Sequence, residues 1–307
     1  MKFRKRIFYG FVLSFLFIAL CFPCRSLAVH PILPYEAIGS LNQVIFAKGT
    51  YVAVGANGAI FTSKDKKTLT AQNSGTTSTL NGLTFANGIF VAVGGDGTIL
   101  ASEDALHWTL RNSGTTSKLQ GISFKKGMFF TYGGDGTILT SKDGKTWTAR
   151  NSGTTSTLHA ITYEDGIFVI VGADGSILTS TDGTSWTPRE SGTTSTLRGI
   201  TYINRTFAAF GADGAVITSK DGATWTTRDL GTTSSLYGAA YSGSIIVVVG
   251  ADGTILTSTD GKVWTPQLSG TTSTIRGITY ADGTFVIVGS DGTVLTSKDG
   301  ITWKSQE

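Results

Sequence analysis

Leu158-His159-Ala160-Ile161-Thr162-Tyr163, then Glu164-Asp165-Gly166, then Ile167-Phe168-Val169-Ile170-Val171-Gly172 reads as two strands around a turn. The first run alternates and is rich in β-branched and aromatic residues, the tripeptide is turn chemistry, and the second run is continuously apolar, as for a strand packed on both faces. Ala173-Asp174-Gly175 follows, an Asp-Gly pair suited to a tight hairpin because Gly accepts positive φ without a Cβ cost. Ser176 to Ser180 reads as a third strand. Asp182-Gly183 then turns the chain into Trp186-Thr187-Pro188-Arg189, and Ser191-Gly192-Thr193-Thr194-Ser195 leads onward. Four short antiparallel strands in one unit make the blade of a β-propeller.

The unit recurs. Trp108, Trp147, Trp186, Trp225, Trp264 and Trp303 stand 39 residues apart and are all the Trp of the chain. Counting back from Glu307 divides residues 35–307 into seven copies, 35–73, 74–112, 113–151, 152–190, 191–229, 230–268 and 269–307. A fixed period of this length decides architecture before any local reading does. The expectation is an all-β, seven-bladed propeller of four-stranded antiparallel blades. The 40 Gly, the closely spaced turn pairs and the lack of a sustained 3.6-residue period exclude a helical fold. A β-solenoid is the rival, but four strands with three tight turns fit a meander better. Copy seven holds its own fourth strand, read as Thr302 to Gln306, and copy one its own first strand near Leu41. The ring is therefore expected to close by packing blade one on blade seven. Copy one is the degenerate one, with Leu69 in the Trp column and Lys66 in place of a turn Gly.

The formal charge of +4 misleads. Lys2, Arg4, Lys5, Arg6 and Arg25 lie in the first 28 residues, which hold no acid, so the remainder carries −1. A nucleic-acid partner, which calls for a basic patch, is not expected. The basic start, the apolar run from Ile7 to Phe22 and Ser26-Leu27-Ala28 read as a signal peptide over 1–28 cleaved after Ala28, with 29–34 a lead-in. The alternative is an uncleaved anchor, the only expected route to a membrane. Cys21 and Cys24 both lie in this segment, so the exported chain would hold no cysteine.

Ser141-Lys142-Asp143-Gly144-Lys145-Thr146-Trp147 represents a repeated motif with a structural explanation that needs no ligand. An Asp carboxylate accepts backbone N–H groups of its own turn, Gly takes the left-handed position, and Trp packs between blades. Its acidic members are Asp104, Asp143, Asp182, Asp221, Asp260 and Asp299. The motif resembles the Asp-box of neuraminidase-type repeats, which usually has one more residue between Asp and Trp. The whole array resembles the propellers related to photosystem II stability and assembly factors. The first resemblance implies a folding element remote from any active site, and the second a binding or assembly role. A sialidase-like site would need three specialised arginines, a Tyr–Glu pair and an acidic general acid. Instead Arg111, Arg150, Arg189 and Arg228 share one repeated column, leaving Arg198, Arg205 and Arg276, and no Glu stands inside an expected inner strand. His30, His107 and His159 are isolated, so no metal and no cofactor are expected.

One column changes chemistry at every step: Asn42, Asn81, Gln120, His159, Arg198, Tyr237 and Arg276. It follows a Leu or Ile at the start of the first strand, the expected mouth of the central channel. Two readings stand: a solvated rim tolerant of any polar residue, or a ligand ring in which Arg198, Tyr237 and Arg276 form an asymmetric pocket for a carboxylate, sulfate or acidic sugar. The expected function is that of an exported, monomeric, non-catalytic binding protein for a protein or glycan partner, with assembly or stability of an envelope complex as its specific form. A glycosidase or lyase, and a structural or adhesive array with equivalent inter-blade sites, are the alternatives.

Overall fold

Alternation, apolar run and an Asp-Gly turn, Asn57-Gly58 in copy one, produce the same meander in every copy, and blade two shows how. Leu80–Ala86, Ile89–Gly94, Ile99–Ser102 and Thr109–Arg111 pair antiparallel in chain order. Ile89–Gly94, the continuously apolar run, is buried at every residue, whereas the short fourth strand is mostly exposed. A computed structural model describes residues 41–65, 68–281, 283–290 and 293–305. The signal peptide, the lead-in 29–34, Lys66 and Gln306 lie outside the described residues. Seven four-stranded sheets, each ordered as in the chain, make a seven-bladed β-propeller whose only helical elements among the described residues are three-residue 3₁₀ turns.

The blades group into two compact units, residues 41–159 with 180–187, and residues 160–179 with 188–305. In the first, Val52, Val54 and Ile60 of blade one interleave with Leu80, Leu83 and Phe90 of blade two, and Trp108 covers the cluster. Phe129 and Leu139 of blade three meet Val91 and Val93 of blade two in the same way, with Trp147 against them. In the second unit Trp225, Trp264 and Trp303 pack on the clusters of blades four–five, five–six and six–seven. Each of these Trp rings thus sits on apolar surface built by its own blade and the one before. In three blades the ring also meets a fully buried Phe of its own blade: Phe90–Trp108, Phe129–Trp147 and Phe285–Trp303 have centroids 6.4, 6.4 and 6.3 Å apart. Tilted pairs at this distance add to the area they bury.

The Ser-x-Asp-Gly corner is self-contained. In blade three the Ser141 hydroxyl donates to Asp143 Oδ1 (2.9 Å), which also accepts the N–H groups of Lys145 and Thr146 at 2.8 Å. Gly144, at φ +70°, donates its N–H to Ser141 Oγ. The indole N–H of Trp225 donates to the carbonyl of Gly222 in its own corner at 2.9 Å. These bonds favour the ionised carboxylate and pull both Asp143 and Asp221 down to about 2.

Three boundaries differ from the sequence reading, one of them the fourth strand of blade seven, which begins at Lys304 rather than Thr302. The hairpin between the first two strands uses two residues, not three: Asp165 and Gly166 lie at φ +48° and +80°, a type I′ geometry. The freed residue joins the ladder, so the first strand of blade four is Leu158–Glu164 and an inner strand does contain a Glu, at its last position. The second turn, by contrast, absorbs Ser176, whose N–H donates to Ala173 O, and the third strand starts at Ile177.

That second turn is also where blades meet their linkers. In blade two, Gly95 donates its N–H to Thr79 O of the incoming linker (2.9 Å), and Gly97 donates to Ser117 O of the outgoing one (3.1 Å). Ser78 Oγ adds a bond to Asp96 Oδ2 at 2.8 Å. Gly97 combines φ +63° with contact so close that a Cβ would stand 1.9 Å from Thr115 O.

Two predictions follow from these geometries. Gly88 is equally left-handed (φ +81°) but has nothing within 4 Å of where a Cβ would stand. Gly88→Ala should therefore cost about 1–2 kcal/mol, the backbone penalty alone, and Gly97→Ala at least about 3 kcal/mol. Equal urea midpoints for the two variants would contradict the linker contact. For pH, a carboxylate whose folded pKa is depressed stabilises above its unfolded value near 4, and that stability is lost as pH falls through the folded value of about 2. Urea midpoints at about pH 5 and pH 2.5 should show a smaller acid loss in Asp143→Asn/Asp221→Asn than in the parent chain; identical losses would show that these corners do not carry the effect.

Candidate binding site

The variable column is placed by a β-bulge. Leu80 pairs with Gly94 and Gly82 with Val93, so Asn81 has no rung of its own. The same register shift occurs at Asn42, Arg198, Tyr237 and Arg276, and the ladder of blade three shifts opposite Gln120. A bulge re-aims the extra side chain away from the regular face. Its anchor is the preceding residue, since Leu80, Leu119, Leu158, Leu197, Leu236 and Ile275 are all fully buried. The bulge is the feature that reading along one strand misses; its only trace is the Gly after the column residue at 82, 121, 199, 238 and 277.

All seven column residues are half-buried. Asn42 donates its amide N–H to Leu80 O at 2.8 Å, and Asn81 donates to Leu119 O at 2.9 Å. Each therefore ties its own blade to the anchor of the next. Beside them Gln43 Oε1 accepts the N–H of Leu83 at 2.7 Å, a further tie the sequence did not single out. Gln120 and His159 hold the matching positions of blades three and four.

Blades five to seven use the position differently. The Arg198 guanidinium lies over the Tyr237 ring, 5.7 Å from its centroid, so the column again leans onto the following blade but through a cation–π contact. The Nε atoms of Arg198 and Arg276 are buried, and among the described residues neither finds a hydrogen-bond partner. A buried donor left unpaired costs about 1–3 kcal/mol, which an incoming acceptor recovers. This sector is cationic, aromatic and short of acceptors, the chemistry that receives a carboxylate.

Three of the four repeated arginines are spent elsewhere. Arg150, Arg189 and Arg228 donate Nε to Thr140, Thr179 and Thr218 Oγ1 at 2.8–2.9 Å, bracing the fourth strand on the third. In blade two Arg111 pairs with Ile99, the position of the accepting Thr is Ala101, and among the described residues the Arg111 Nε finds no partner. The Asp residues of the corners are likewise engaged with their own turns, as at Asp104, Asp143, Asp182, Asp221, Asp260 and Asp299. Among the described residues no three His, Cys, Asp or Glu side chains gather as a metal ion requires.

No protein-family model and no curated protein matches the chain. Solved structures do. YCF48 from Cyanidioschyzon merolae is 15% identical with a TM-score of 0.64, covering 86% of this chain and 96% of its own. YCF48 bound to D1 peptide is 17% identical with a TM-score of 0.65, covering 87% and 93%. The WD40 β-propeller domain of Doa1 is 17% identical with a TM-score of 0.60, covering 85% and 95%. At these identities the likeness is one of fold, and it spans nearly the whole of each neighbour.

Proposed function

We propose that the chain is an exported, non-catalytic propeller that binds a protein partner, in the manner of an assembly or stability factor for an envelope complex, and that blades five to seven carry the recognition. The observation behind this reading is the Arg198–Tyr237 contact together with the buried, unpartnered Nε atoms of Arg198 and Arg276 on the bulges of nearby blades. Arg presents a planar fork to carboxylates and the Tyr ring adds apolar area with a polar tip, a combination found at interface hot spots. A protein of this fold, YCF48, has been solved with a peptide bound, which supports a peptide ligand here over a sugar. Export rests on the basic and apolar stretch of residues 1–28. The non-catalytic reading rests on the corner carboxylates and Arg150, Arg189 and Arg228 being engaged in structural bonds.

Fluorescence anisotropy of the full chain with a labelled hexaglutamate peptide, and with an oligogalacturonate, tests the reading. The peptide should bind, more tightly than the sugar, and Arg198→Ala/Arg276→Ala should weaken it at least about tenfold, as expected for losing charge-assisted bonds of about 1.5–3 kcal/mol. Equal binding by parent and double variant would contradict the site, and turnover of a fluorogenic sialoside would contradict the non-catalytic part.

A further inference from the structure

A second surface departs from the repeat, and it does not involve the arginine sector. In the linkers after blades one, two and three, Asn73, Asn112 and Asn151 accept the N–H of Gly75, Gly114 and Gly153 at 2.9–3.0 Å, and Asp229 does the same for Gly231 after blade five. After blade six this position is Leu268, which is 92% exposed, and Gly270 is left without that acceptor. The preceding residue changes too: Gln267 replaces the Arg of the column and donates to Thr257 Oγ1. Here a groove of about 810 Å³ opens between the linkers flanking blade six, walled by Pro266 and Leu268 and edged by Thr271. No basic residue lines it, and its one charge is the exposed Asp252. In three other blades the matching Asp96, Asp135 and Asp213 accept a hydrogen bond from a linker Ser; among the described residues Asp252 has no such partner.

We infer that this groove is a docking site for a polypeptide segment carrying an apolar side chain next to a lysine or arginine. A leucine so exposed, placed where the fold elsewhere uses a turn-capping Asn, gives up a local hydrogen bond and presents apolar surface to solvent, and such surface marks an interaction site when it borders a concavity. The groove's only charge is an unpaired carboxylate, and the removal of Arg from the column at Gln267 leaves nothing there to repel a cation. Leu268 and Pro266 meet the apolar side chain, Asp252 receives the cation, and the Gly270 N–H is free to donate to the segment's backbone.

Anisotropy of the full chain with fluorescein-labelled Gly-Lys-Leu-Lys-Leu-Gly and Gly-Glu-Leu-Glu-Leu-Gly tests this. The lysine peptide should bind at least about tenfold more tightly than the glutamate peptide, and Asp252→Asn and Leu268→Asn should each weaken it by about fivefold. Leu268→Asn restores the residue that three other linkers carry, so its melting temperature should be unchanged or raised and its loss of binding is not a loss of fold. Arg198→Ala/Arg276→Ala should leave this affinity unchanged, which separates the groove from the arginine sector. No binding, equal affinity for the two peptides, indifference to Asp252→Asn and Leu268→Asn, or loss of binding in the arginine variant would each overturn the assignment.

Discussion

Among the described residues, blades one to six each grip the outgoing linker at the same close approach: a glycine in the left-handed region pressed against a linker carbonyl. At Gly58, Gly136, Gly175, Gly214 and Gly253 an added Cβ would stand 1.9–2.0 Å from the carbonyl oxygen of Thr76, Thr154, Thr193, Thr232 and Thr271, as it would at Gly97. Such an approach is possible only where no Cβ exists, and the positive φ of these turns selects glycine a second time. The linker must in turn hold its carbonyl steady. It does so with its own hydroxyls: Ser113 Oγ donates to Thr115 O, and Thr115 Oγ1 accepts the N–H of Ser117. The repeated Ser-Gly-Thr-Thr-Ser is therefore a small rigid bracket whose composition follows from the turn it must grip.

With turn and linker fixed, the first residue of the next blade is delivered to one place. That residue is the fully buried Leu or Ile, and the bulge beyond it re-aims the variable side chain. The repeat thus creates equivalent positions with a constant backbone and a free choice of side chain. Asn42 and Asn81 use the choice to tie blades together, whereas Arg198 and Arg276 leave buried donors unpaired. Blade six varies the bracket itself, exchanging a capping Asn for the exposed Leu268. Chemistry specific to this chain lies where a copy departs from the rule that folds it.

Most of the architecture was legible because a 39-residue period multiplies weak signals sevenfold: the Trp column, the Asp-Gly turns and the apolar second strand each repeat. Glu164 was misplaced because a tripeptide such as Glu-Asp-Gly does not reveal how many of its residues turn; the positive φ of Asp165 and Gly166 leaves Glu164 in the strand. The column at Asn42 through Arg276 was visible as variation, but its half-burial and bulge depend on pairing across strands, which no single strand encodes. The groove at blade six was hidden for a similar reason. Its walls come from residues 231–232, 252–256 and 266–272, three segments brought together only by the meander.

The claim that turn and linker form a rigid node is tested most directly by amide hydrogen exchange resolved by residue. Gly95, Gly97, Gly134 and Gly253 donate to linker carbonyls at 2.8–3.1 Å. If the node holds the blades, these turn amides exchange as slowly as Val91 and Val93 in the buried second strand, opening only with global unfolding. Exchange as fast as that of Gly88, in the exposed hairpin turn of the same blade, would contradict it.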